Sequence, residues 1–140
     1  MKLFFHRISY LQYALYLASV IFYIPFINSL LDRSPDLEAL NYVLILFGVG
    51  ISFSTLQDTT KTQNKASKKI WQSESKGKVM LVIIAVMAFS FITTGLFLLF
   101  NTASIEMENI SIGVTVLGIG LVGVLKAAIE MFENHRIRKN

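Results

Sequence analysis

The residues best placed to do chemistry are few, and they gather where charge meets long apolar stretches. Gln57 and Asp58 follow one apolar block, and Lys126 and Glu130 interrupt the end of another. Helix counting puts Gln12, Gln57, Asp58, Lys126 and Glu130 at similar depth, at one boundary of a membrane. An Asp58–Lys126 ion pair across two spans could form a gate or a docking patch there. The plain alternative is an ordinary interfacial salt bridge. Lys126 and Glu130 are also spaced for an i,i+4 pair on a single helix. Asp58 is the first residue to test for any lipid-modifying acid–base chemistry.

Other reactive constellations are missing. Without cysteine, thiol catalysis, disulfides and cysteine metal sites are excluded. His6 and His135 lie near opposite chain ends and outside the apolar blocks, so an intramembrane haem or histidine metal site is not expected. The middle of every apolar block lacks Asp, Glu, Lys, Arg and His. A pump, or a small multidrug exporter with its embedded carboxylate, would need such a group. Gly48-Val49-Gly50 lies inside a block and lacks the surroundings of a potassium-filter loop. No P-loop, dinucleotide fingerprint, HExxH or GxSxG occurs. The expectation is a protein that is not an enzyme and uses no cofactor or metal.

The elements that carry these residues are membrane spans. Hydrophobic residues make up 54% of the 140 residues and charged ones only 16%. The apolar excess falls in blocks at about 8–31, 37–56, 79–100 and 110–132. At 1.5 Å per residue, 20–24 residues cover roughly 30–36 Å, the thickness of a hydrocarbon core. Lipid offers no partner to backbone polar groups, so each crossing must be helical. The fold class read from this is all-α: an antiparallel bundle of four transmembrane helices forming a single membrane domain. Block one has the basic start of a secretory signal peptide but is too long for one, and it is read as a retained span. Pro25 predicts a kink in that span, because its ring clashes with the carbonyl of Ile21.

Charge sets the orientation. Twelve of the thirteen Lys and Arg precede block one, lie between blocks two and three, or end the chain. Only Arg33 falls on the other side, beside Asp32, Asp36, Glu38, Glu106 and Glu108. The positive-inside rule then places both termini, the basic loop 57–78 and the basic tail 133–140 in the cytoplasm. The location expected is the plasma membrane, the inner membrane of a bacterium. Topology accounts for the net charge of +4, so nucleic acid is not an expected partner. The loop is a candidate to extend helix two and turn near Ser75–Gly77. Its Lys65, Lys68, Lys69 and Trp71 could lie on the lipid surface and meet anionic headgroups.

Small and polar residues recur at helical spacing inside the spans. Gln12, Tyr16, Ser19 and Tyr23 fall within about 60° of one another on a helix, as do Asn41, Gly48, Ser52 and Thr55. Span three has Ser90, Thr94 and Asn101, with Met87 on the same side. Span four has Gly113, Gly120 and Ala127 at sevens, Gly123 beside them and Gly118 farther round. Helices associate in lipid through close packing and hydrogen bonds, so these faces predict where protein meets protein. A compact bundle turns them inward. A surplus around Gly118–Gly123 would serve an intermolecular contact. The expected role is that of an interaction protein, a scaffold, accessory subunit or self-assembling chain. It would bind the bilayer, other membrane helices or itself. The alternative is a small oligomeric channel or facilitator walled by Tyr16/Ser19/Tyr23 or Ser52/Thr55.

Overall fold

The computed structural model describes residues 2–57, 59, 65–101 and 104–136, without the side chains of Lys2, Leu3, Ala66 and Glu106. Asp58, and the basic residues Lys61, Arg138 and Lys139, lie outside the described residues. The structure is all-helical there: α1 Lys2–Ser9, α2 Leu11–Leu31, α3 Leu37–Ser54, α4 Lys65–Gln72, α5 Glu74–Asn101 and α6 Ile105–His135. Four stretches are long and apolar enough to cross a membrane: Phe4–Leu31, Leu37–Ser54, Glu74–Asn101 and Met107–His135.

Local chemistry explains the boundaries. A turn at Tyr10, whose N–H donates to the Arg7 carbonyl at 3.2 Å, separates α1 from α2. Helix α2 continues through Pro25 to Leu31. Arg33 then takes a left-handed φ of 57°. Around it, Ser34 N–H donates to Ser29 O at 3.0 Å and Arg33 N–H to Leu30 O at 3.2 Å. That pair of bonds is the Schellman ending, and Pro35 follows it as a helix stop. Asp36 restarts the chain, its carboxylate accepting from the Ala39 N–H at 2.9 Å as an N-cap. The result is a tight hairpin of α2 and α3.

Three boundaries differ from the sequence reading. Helix α3 stops at Ser54 instead of running on past Gln57. Its last hydroxyls turn back, Ser54 Oγ to Ile51 O at 2.6 Å and Thr55 Oγ1 to Ser52 O at 2.7 Å, where they compete with helix continuation. The polar connection contains α4, and the turn comes at Ser73. Helix α5 starts at Glu74, five residues before the apolar run. An acidic residue suits a helix N-terminus, and Lys78 pairs with Glu74 at 2.6 Å one turn on.

The packing order is α2–α3–α6–α5. Among the described residues α2 touches neither α5 nor α6, and α3 does not touch α5. The bundle is therefore an open row of two hairpins joined through α3 and α6, rather than a closed ring. Within each hairpin the helices are antiparallel. At the join they are parallel: Asn41 meets Gly113, Gly48 meets Leu117 and Gly120, and Thr55 meets Gly123.

Candidate functional site

At the seams on α6 helix backbones approach one another closely, and glycine on both sides of this one helix makes that possible. Toward α3, a Cβ on Gly48 would lie 2.8 Å from the Leu117 backbone, and one on Gly120 would collide with the Gly48 carbonyl oxygen. Toward α5, a Cβ on Gly118 would lie 2.8 Å from the Ile92 nitrogen, and one on Gly95 would meet the Thr115 hydroxyl. Such backbone approach maximises dispersion contact where lipid provides no hydrophobic drive.

A hydrogen bond marks the α3/α6 seam. Buried Asn41 accepts the Gly113 N–H on Oδ1 at 2.9 Å. Replacing Asn41 by Ala is expected to cost about 1 kcal/mol, the range for an interhelical bond in membranes. Reversible unfolding of the purified protein in mixed detergent micelles measures it. A stability equal to wild type would show the bond contributes nothing.

The expected stripes divide between inside and outside. Gln12 and Ser19 are buried and Tyr16 half-buried, the Tyr16 ring lying 5.2 Å from that of Phe47 and filling the space over Gly50. Tyr23, at the end of the same stripe, is exposed. Asn41 and Gly48 are buried, Ser52 and Thr55 half-buried. Of the channel-wall residues named above, Ser19 and Ser52 donate back to their own helices, to Tyr16 O and Gly48 O at 2.8 and 3.0 Å. Gly113, Gly118, Gly120 and Gly123 all face α3 or α5 of the same chain. The glycines of the Gly118–Gly123 region thus face this chain's own helices, while Ile119 and Val122 between them stay exposed.

Span three reverses the expectation. Ser90, Thr94, Met87 and Asn101 are exposed, and α5 turns Ile84, Ala88 and Gly95 to α6 instead. Opposite them sit Ser111, fully buried, and Thr115, whose hydroxyl donates to Ser111 O at 2.8 Å. The sequence reading missed Ala88, Gly95, Ser111 and Thr115. The spacing of Ala88 and Gly95 by seven, the same as Gly113 and Gly120, was the signal that could have found them. On the outer face of α5 a groove of about 570 Å³ is lined by Val82, Ala85, Val86, Phe89, Ser90, Thr93 and Thr94.

At the end of the bundle, Lys126 pairs with Glu130 at 3.7 Å, and Thr59 Oγ1 donates to the other Glu130 oxygen at 3.4 Å. Both charged side chains face outward. Gln57 is half-buried nearby in sequence, and its Asp58 neighbour is outside the described residues. Trp71, placed in the sequence reading with the headgroup lysines, turns its ring to the protein. It is 7% exposed and clusters with Ile84, Ala128 and Phe132, its indole N–H donating to Ser67 Oγ at 3.0 Å. Helix α4 has one apolar face, and α5 and α6 offer it a cleft. Gly77 leaves room there for the Phe132 ring. Lys65, Lys68 and Lys69 stay exposed on the opposite face.

Over the described residues, the class so defined is an all-helical protein with four helices capable of spanning a membrane. Comparison with known protein families, with curated proteins and with solved structures returns no match, so the functional reading rests on this chain's own residues.

Proposed function

We propose that the chain is an integral plasma-membrane protein, of the bacterial inner-membrane type, that acts by binding other membrane helices. Both termini lie in the cytoplasm in this reading. The direction of the helices supports it: α2 and α5 run one way, α3 and α6 the other, so by sequence twelve of the thirteen cations belong to one side.

One observation carries the functional part. The outer face of α5 presents the hydroxyls of Ser90, Thr93 and Thr94 away from the chain, midway along an apolar helix. Lipid tails cannot hydrogen-bond them, whereas a second helix can. This face, not Gly118–Gly123, is where a partner helix or a second copy seats. The seams at α3/α6 and α5/α6 hold the scaffold that presents it.

A photo-crosslinking residue at position 90 or 94, activated in native membranes, tests the reading. The expected product is a discrete protein adduct, whose mass separates a second copy from a different partner. The same residue at position 13, on the exposed face of α2, should give lipid adducts. Lipid adducts alone from 90 and 94 would reject the proposal.

A further inference from the structure

Helix α4 has a cationic face with no partner assigned to it. At 100° per residue, Lys65, Lys68, Lys69 and Gln72 fall within one arc of about 100°, with Ile70 and Trp71 on the far side. The burial pattern agrees: all three lysines are exposed and Trp71 is buried. Among the described residues none of the three enters an ion pair, while Lys78 and Lys126 each have a glutamate.

The height of α4 narrows the partner. Trp71 packs on Ile84, ten residues into α5, roughly 15 Å from that helix's first residue. The apolar run of α5 begins at Val79, so the indole is already level with it. The helix is wedged beside the shafts of α5 and α6 and does not project into water. Its lysines therefore stand at the level where an apolar core gives way to headgroups. Long lysine stems suit that zone, because the ammonium reaches outward while the methylenes stay in apolar surroundings.

We propose that the exposed face of α4 is a binding site for anionic phospholipid headgroups, with Lys65, Lys68 and Lys69 meeting the lipid phosphates and Trp71 fixing their depth. This inference rests on the membrane-spanning reading above. A soluble polyanion would find the same charges but gain nothing from their position at the boundary.

Trp71 is the only tryptophan of the chain, which makes it a clean energy-transfer donor. The full chain is reconstituted in phosphatidylcholine bilayers carrying trace acyl-labelled pyrene phosphatidylglycerol or pyrene phosphatidylcholine. Transfer should favour phosphatidylglycerol, and added salt should weaken the preference. Each Lys→Gln substitution should reduce it up to about fivefold, from roughly 1 kcal/mol per cation near the surface. The triple K65Q/K68Q/K69Q variant should show none, and the triple Lys→Arg variant should keep it. An unchanged Trp71 emission maximum in the variants confirms that α4 remains seated. Equal transfer from wild type and the triple Gln variant would overturn the site. Failure of the chain to float with liposomes would remove the spanning reading itself, a separate result.

Discussion

Replacing Gly120 by Leu is expected to lower stability by about 3 kcal/mol, at the upper end of what overpacking usually costs. The obstacle is backbone. The first added carbon meets the Gly48 carbonyl oxygen, with the Gly48 carbonyl carbon at 3.2 Å and Cα at 3.3 Å behind it. A flexible side chain could swing away; two helix backbones can yield only by moving apart. Moving α6 from α3 also strains the Asn41–Gly113 hydrogen bond and the contact of Gly48 with Leu117. The substitution therefore acts on the join between the two hairpins. Gly123→Ala is the matched control. Its new carbon would lie 3.2 Å from a methyl of Thr55, a side chain that can shift, so the expected change is within about 0.5 kcal/mol. Denaturant unfolding in mixed micelles reads both. A Gly120→Leu protein as stable as wild type would mean that α3 and α6 do not touch there.

Trp71→Ala is expected to free α4 from the bundle. Emptying a buried tryptophan site costs about 3–5 kcal/mol in well-packed proteins. Here the lost contacts are those with Ile84, Ala128 and Phe132, and the indole bond to Ser67 goes with them. An eight-residue helix has little stability of its own, because nucleation is costly and tertiary packing supplies most of it. The effect should be local, since α5 and α6 still meet along Ala88, Gly95, Ser111 and Gly118. Limited trypsin digestion measures it directly. Cleavage needs locally unfolded chain, and Lys65, Lys68 and Lys69 supply the cut sites. A loss of 3 kcal/mol predicts initial cleavage faster by on the order of a hundredfold. Trp71→Phe, which keeps a ring in the cluster, should fall between. Cleavage at wild-type rate in the Ala variant would show that α4 is held by something other than this residue.

How far the sequence speaks depends on the contrast each residue faces. The four apolar blocks stood out because their composition differs so strongly from the connections, and α6 ends at His135, where the apolar pattern and the basic tail meet. Gly48, Gly113 and Gly120 were legible as packing positions because glycine has few other uses inside a lipid-exposed helix. Ser90 and Thr94 face outward instead of toward α6 for a physical reason. Hydroxyls can bond their own helix, so they occur on either face, and a span has no polar-versus-apolar contrast between lipid and core. Ala88 and Gly95 carry the real signal on α5, but Ala88 looks like any apolar residue there. The burial of Trp71 was hidden in a different way. Tryptophan does favour the interface, yet the register of Ile70 and Trp71 opposite three lysines already describes a helix with a face to bury. Its acceptor, the cleft between α5 and α6, exists only in three dimensions.

The join between Asn41 and Gly113 spans 72 positions of chain. At roughly 5–20 residues per second, a ribosome needs about four to fourteen seconds to make that length. For most of that interval the first hairpin is already made, its Asn41 amide still waiting for a helix that has not been made. In the membrane-spanning reading proposed above, insertion thus includes a pause in which this polar group must borrow a temporary companion.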